Sequence, residues 1–146
     1  MNNSVLYIRD TEYTLDEVLL RIGLSQEGDD HFVTFDLFAD SRELSRSGFA
    51  INSLAVIGTQ ISAIENTTFE LDEQDGDGLN ELRESVVCEP GSVLEVSHLK
   101  IVFGAFQNGF VDTQLEANCF RVDEESAEII EDIIPVRGNF TAKIRT

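Results

Sequence analysis

Residues 20–38 read Leu-Arg-Ile-Gly-Leu-Ser-Gln-Glu-Gly-Asp-Asp-His-Phe-Val-Thr-Phe-Asp-Leu-Phe. Leu20, Ile22 and Leu24 alternate with Arg21, Gly23 and Ser25. After the polar run Gln26-Glu27-Gly28-Asp29-Asp30, apolar residues resume through Phe32 to Phe38. A period of two sends successive side chains to opposite faces of a strand. The stretch therefore predicts a β-hairpin with a loop of about five residues. The same reading predicts strands over 5–9, 49–56, 60–64, 67–71, 93–96, 99–106, 110–116 and 139–144. Turn signals separate them, the clearest being Asn108-Gly109 between two Phe-containing runs, because both residues tolerate positive φ. Residues 14–22 carry a competing signal. Thr14-x-x-Glu17 has the form of a helix capping box, and Leu15, Val18, Leu19 and Ile22 fit one helical face. Strand is expected from Val18 onward, with short helices compatible with 79–86 and 124–130. Many short, closely spaced strands suit an antiparallel sandwich or barrel. The expectation is a single all-β domain over 1–146, an antiparallel β-sandwich of jelly-roll or Greek-key type with one or two short helices.

The chain of 146 residues has the length of one domain and enough apolar content, 42%, to bury a core. The ten Phe residues mostly sit in apolar runs and are expected inside. No stretch approaches the length of a membrane-spanning helix, and Met1-Asn2-Asn3-Ser4 lacks the basic and apolar regions of a signal peptide. A cytoplasmic or otherwise soluble protein is expected, and three Asn-x-Ser/Thr sequons then read as coincidence. Cys88 and Cys119 have no metal-binding or redox spacing and are expected as free, buried thiols.

Net charge is −18 and unevenly spread. Residues 65–95 hold ten acids against one base, and residues 121–134 hold six against one. The last twelve residues carry three bases and no acid. Such a field repels nucleic-acid phosphate and anionic membrane surfaces. It points to cations or basic proteins as partners. A salt-adapted source would produce the same balance, since screening relieves the self-repulsion. Edge strands and alternating Phe residues permit a homo-oligomer.

The densest acidic run is Asp72-Glu-Gln-Asp-Gly-Asp-Gly-Leu-Asn-Glu-Leu-Arg-Glu84. Counted from Glu73, it puts Asp75 at position 3, Asp77 at 5, Gly78 at 6 and Glu84 at 12. This acidic spacing resembles the EF-hand calcium loop, which takes side-chain oxygens at 1, 3, 5 and 12, a carbonyl at 7 and a glycine at 6. The resemblance implies calcium ligands at Glu73, Asp75, Asp77 and Glu84, with the Leu79 carbonyl. It departs from the pattern in Glu at position 1, Asn80 at position 8 and the strand expected upstream. The Asp-Gly pairs also suit an ordinary turn in an acidic chain.

No nucleophile elbow, phosphate-cradling loop or compact zinc set occurs, and carboxylates are too abundant for any pair to be singled out. His31 and His98 are the only histidines. An enzyme would need a pocket, assembled only in the fold, that brings one of them beside carboxylates. The leading expectation is a non-catalytic acidic protein of the inhibitor, immunity or assembly type. It would present residues 65–95 and 121–134 to a basic or cationic partner. The alternative is a calcium-stabilised β domain.

Overall fold

The computed structural model describes residues 4–42, 48–58, 60–74, 82 and 85–146. Within them run ten strands: β1 Val5–Ile8, β2 Thr11–Thr14, β3 Glu17–Glu27, β4 Asp30–Asp40, β5 Phe49–Ile57, β6 Thr68–Asp72, β7 Val86–Glu89, β8 Ser92–Gln107, β9 Phe110–Val122 and β10 Ile129–Arg145. Seven of them close a ring in the order β3-β4-β5-β7-β8-β9-β10. The architecture is thus a closed barrel and not the expected sandwich. Period-two alternation serves both folds equally, because each has one buried and one wet face. Closure rests on two narrow seams. Lys143–Arg145 of β10 pairs parallel with Leu19–Arg21 of β3. Phe49 and Ala50 of β5 pair with Val87 and Val86 of β7. β1 and β2 extend the free edge of β10, and β6 extends that of β8.

Inward positions fill the barrel with side chains. Phe35 meets Phe69 and Phe103 edge-on at centroid separations of 5.3 and 5.4 Å, and Phe49 lies 5.4 Å from Phe140. The two Phe35 contacts are T-shaped, which suits the ring quadrupole, and the Phe49–Phe140 pair is tilted at 43°. Thr113 is a buried polar residue, and its hydroxyl donates to the Val111 carbonyl at 3.2 Å.

Local differences from the sequence reading have physical causes. Glu27 pairs directly with Asp30, so the first hairpin turns on two residues, with Gly28 at φ 60°. Asn108 and Gly109, at φ 54° and 82°, make the tight turn expected of them. Residues 61–64 form a 3-10 helix, not a strand. Its three-residue turn brings Ile61 and Ile64 to one side against the core. Residues 124–126 are a turn and 129–130 already belong to β10, so no helix forms over 124–130. Of the other expected helix, 79–86, Leu82 is buried, Val86 is in β7 and residues 79–81 and 83–84 lie outside the described residues.

No helix among the described residues is long and apolar enough to cross a membrane. The outer face of β9 and β10 is polar over residues 112–118 and 137–143. Outward positions carry Asp112, Gln114, Glu116 and Asn118 on β9, and Arg137, Asn139 and Lys143 on β10. A membrane barrel shows an apolar belt there. One row, Glu70-Lys100-Glu116-Arg137-Tyr7-Glu12, crosses six strands in register with mostly alternating charge. Within it the Arg137 guanidinium stacks 4.5 Å over the Tyr7 ring, and the Tyr7 hydroxyl donates to Glu12 at 3.2 Å. Cross-strand pairs of this kind contribute about 0.2–1 kcal/mol each.

Candidate binding cleft at the acidic end of the barrel

β8 and β9 pair down to Glu95 opposite Phe120 and then part. β8 continues back to Ser92 as the partner of β7. β9 continues to Val122 as the partner of β10. Between them opens a cleft of about 760 Å³. Val86, Val93, Val122 and Ile130 give it an apolar lining. Glu95, Asp123, Glu124 and Glu125 line it with carboxylates, against the single guanidinium of Arg121. All nine come from residues 86–95 and 121–130. The fold therefore joins parts of the two acidic segments that stand apart in sequence.

Two bulges shape one wall. Along β10 the register slips between Ile129 and Glu131 and again between Glu131 and Ile134, each time adding a residue opposite β9. The second slip contains Ile133 at φ 55°, with its N–H bonded to its neighbour's carboxylate, Asp132 Oδ1, at 2.9 Å. A β-branched residue rarely adopts that backbone region. The outcome is unusual for a strand of isoleucines: Ile129, Ile130 and Ile133 are 58%, 54% and 69% exposed, and Val93 across the cleft is 56% exposed. Only Ile134 of the four β10 isoleucines at 129–134 enters the core.

The surroundings of the cleft are held firmly. Asp123 Oδ1 accepts the N–H groups of Glu125 and Ser126 at 2.8 and 3.1 Å, which holds its carboxyl below the usual range. The turn closes through Asp123 N–H to the Glu128 carbonyl at 2.8 Å. Arg9, in the β1–β2 turn at φ 58°, donates to Glu89 on β7 at 2.6 Å. It also reaches Glu131 on β10 through two nitrogens, at 2.7 and 3.1 Å. Arg9 lowers the Glu131 carboxyl, and its own guanidinium is stabilised in the charged form by both carboxylates, Glu131 most. This clamp ties the hairpins on either side of the cleft. Arg121 Nε is buried without a hydrogen-bond partner. Such a donor costs about 1–3 kcal/mol.

His98 does sit beside carboxylates and lines a separate cleft of about 440 Å³ with Arg9, Asp10, Glu116 and Arg137. A bulge at Ser97 places it on the outer face of β8. Its Nδ1 is 2.9 Å from Asp72 and its Nε2 is 3.1 Å from Glu70, both on β6. The Asp72 carboxyl is lowered by the Gln74 N–H first and by His98 second. With both ring nitrogens turned to carboxylates, the imidazole ties β6 to β8 and offers no free nitrogen for proton transfer. His31 is exposed on β4.

Of the expected calcium ligands, Glu73 follows β6 and donates its N–H to the Ser97 carbonyl at 2.9 Å. Asp75, Asp77, Leu79 and Glu84 lie outside the described residues. Among the described residues no group of three His, Cys, Asp or Glu side chains is arranged to hold a metal ion. Neither cysteine is in a disulfide. Cys119 is buried, and burial, with the Glu89 charge second, pushes its thiol up to about 12. Cys88 is only half-buried on the outer side of β7.

No protein-family model matches the chain, and no curated protein or solved structure is similar enough to count as a match. Function must be argued from the site itself.

Proposed function

We propose that the protein is a non-catalytic binding module that presents the acidic end of its barrel to a basic protein partner. One observation carries this reading: residues 86–95 and 121–130 converge on a single cleft lined by apolar side chains and carboxylates together. Opposite charge would steer the partner in and fix its orientation, while the apolar groups would supply short-range adhesion. On the outer wall Lys100 faces Glu70 and Glu116, and Arg137 faces Glu116, which leaves Arg121 as the one base lining the cleft beside four carboxylates among the described residues. A catalytic reading centred on His98 has less support, because both ring nitrogens already face carboxylates.

The test is calorimetric titration with an octalysine peptide at low and high salt. Glu95→Gln/Glu124→Gln/Glu125→Gln should weaken binding tenfold or more. The control Glu12→Gln/Glu17→Gln/Glu27→Gln, which removes as much charge from exposed strands elsewhere, should change it less than twofold. Equal losses in the two triple variants would mean that the charge acts diffusely and that the cleft is no site.

A further inference from the structure

Building on the basic-partner reading, we infer that the cleft accepts an extended segment of the partner as an added β-strand with alternating basic and apolar residues. The first ground is the missing ladder. Residues 92–94 of β8 and 121–122 of β9 keep strand geometry and are paired on their far edges, to β7 and to β10. Among the described residues their facing edges carry no strand pairing beyond Glu95–Phe120. Unpaired strand edges are templates for another chain, and strand addition is a recurring mode of peptide recognition.

The second ground is chemistry that matches a strand's two faces. Val93 and Ile130 lie on opposite sides of the cleft, with Glu95, Glu124 and Glu125 beside them. A segment that alternates Lys or Arg with Val or Ile would set its apolar face on the former and its cations on the latter. A second copy of this chain is the weaker occupant, because it would bring another −18 charges to the same surface. Two other free edges, those of β2 and β6, are poor competitors. β2 has four residues and β6 five, and β6 carries Glu70 and Asp72 locked to His98. Short, charged edges of this sort resist pairing.

The experiment compares three eight-residue peptides on the intact protein: (Lys-Val)4, (Lys-Ser)4 of equal charge, and (Lys-Val)4 N-methylated at alternate residues. The alternating apolar peptide should bind at least tenfold tighter than the serine peptide. N-methylation should remove that gain, as should Ile130→Ser, a change at an exposed side chain that leaves the core intact. Hydrogen exchange should show new amide protection within 92–94 and 121–122. If both unmethylated peptides bind equally, yet Glu95→Gln/Glu124→Gln/Glu125→Gln abolishes binding, the strand inference falls and the basic-partner reading stands. If the N-methylated peptide binds as tightly as its parent, backbone pairing is refuted. If neither peptide responds to the glutamate changes, both readings fall together.

Discussion

Ile133 tests whether the β10 bulges serve a surface or the fold. An L-residue at φ 55° costs about 1–2 kcal/mol, and more of that cost falls on a β-branched side chain than on Asn. The side chain is 69% exposed, so roughly a third of it is covered. Full burial of Ile is worth about 1.5–3 kcal/mol, so removing what is covered loses about 0.5–0.9 kcal/mol. Ile133→Asn should therefore leave the protein equally stable or more stable by up to about 1 kcal/mol, a Tm rise of roughly 2–4 °C at this size. Ile133→Thr is the matched control, since it loses similar apolar contact but keeps the β-branch and its strain. Thr should fall about 0.5 kcal/mol below wild type and about 1 kcal/mol below Asn. Urea denaturation of the three proteins reads the differences directly. If the Thr variant is as stable as Asn or more so, backbone strain at Ile133 is not what the geometry indicates. If Asn costs 2 kcal/mol or more, the side chain is a packing element and its exposure has been misjudged. Stability gained together with weaker peptide binding would be the trade expected of a residue kept for recognition.

Other expectations follow from the same geometry. Arg9→Gln should destabilise by about 1 kcal/mol, the strong hydrogen bonds being discounted for solvent exposure. Because Glu131 is held below its ordinary 4.5, that difference should be full above pH 4.5 and shrink as pH falls through the lowered value, which paired urea melts across pH will show. Phe103→Ala should cost about 3–5 kcal/mol, since a ring touching Phe35 inside a filled barrel leaves a cavity, and thermal melting measures it. For residues 73–84, melts in EDTA against calcium, with magnesium and matched sodium chloride as controls, separate a specific site from screening. A specific site would gain roughly 2.7 kcal/mol from calcium at about 100 times its dissociation constant, and Asp77→Ala would then remove that gain; equal rises with all three salts would refute the calcium loop.

Local structure was legible where the signal lies within a few residues. The β3–β4 hairpin, the Asn108-Gly109 turn and the alternating core of β9 follow from side-chain period and turn chemistry alone. Barrel closure was not, because it depends on three residue pairs between β10 and β3 and two between β5 and β7, all far apart in the chain. β8 shows a subtler limit. Its inward residues are Leu94 and Val96, then Leu99, Ile101 and Phe103, and the change of parity reads as a break between two strands. It is in fact a bulge at Ser97 within one strand. The run Ile129-Ile-Glu-Asp-Ile-Ile134 is ambiguous in the same way. Nothing in composition says that two bulges will turn three of its isoleucines outward. The acidic segments were visible, but their convergence is a property of the ring order.

Closure also decides where a partner can bind. A closed ring has no edge to offer, so strand-mediated recognition is confined to places where the ring is incomplete. Here the parting of β8 from β9, the concentration of carboxylates and the display of isoleucines coincide at one end. Each alone has an ordinary explanation: a frayed hairpin, an acidic composition, a surface apolar residue. Fraying alone predicts a mobile opening. The Arg9 clamp instead ties β7 to β10, the outer partners of the two strands that part, while the Asp123 turn fixes the β9–β10 connection. An opening whose outer strands are tied by charged hydrogen bonds has fewer conformations to lose than a frayed one. Preorganisation of that kind lowers the entropic cost of binding and is what a recognition cleft requires.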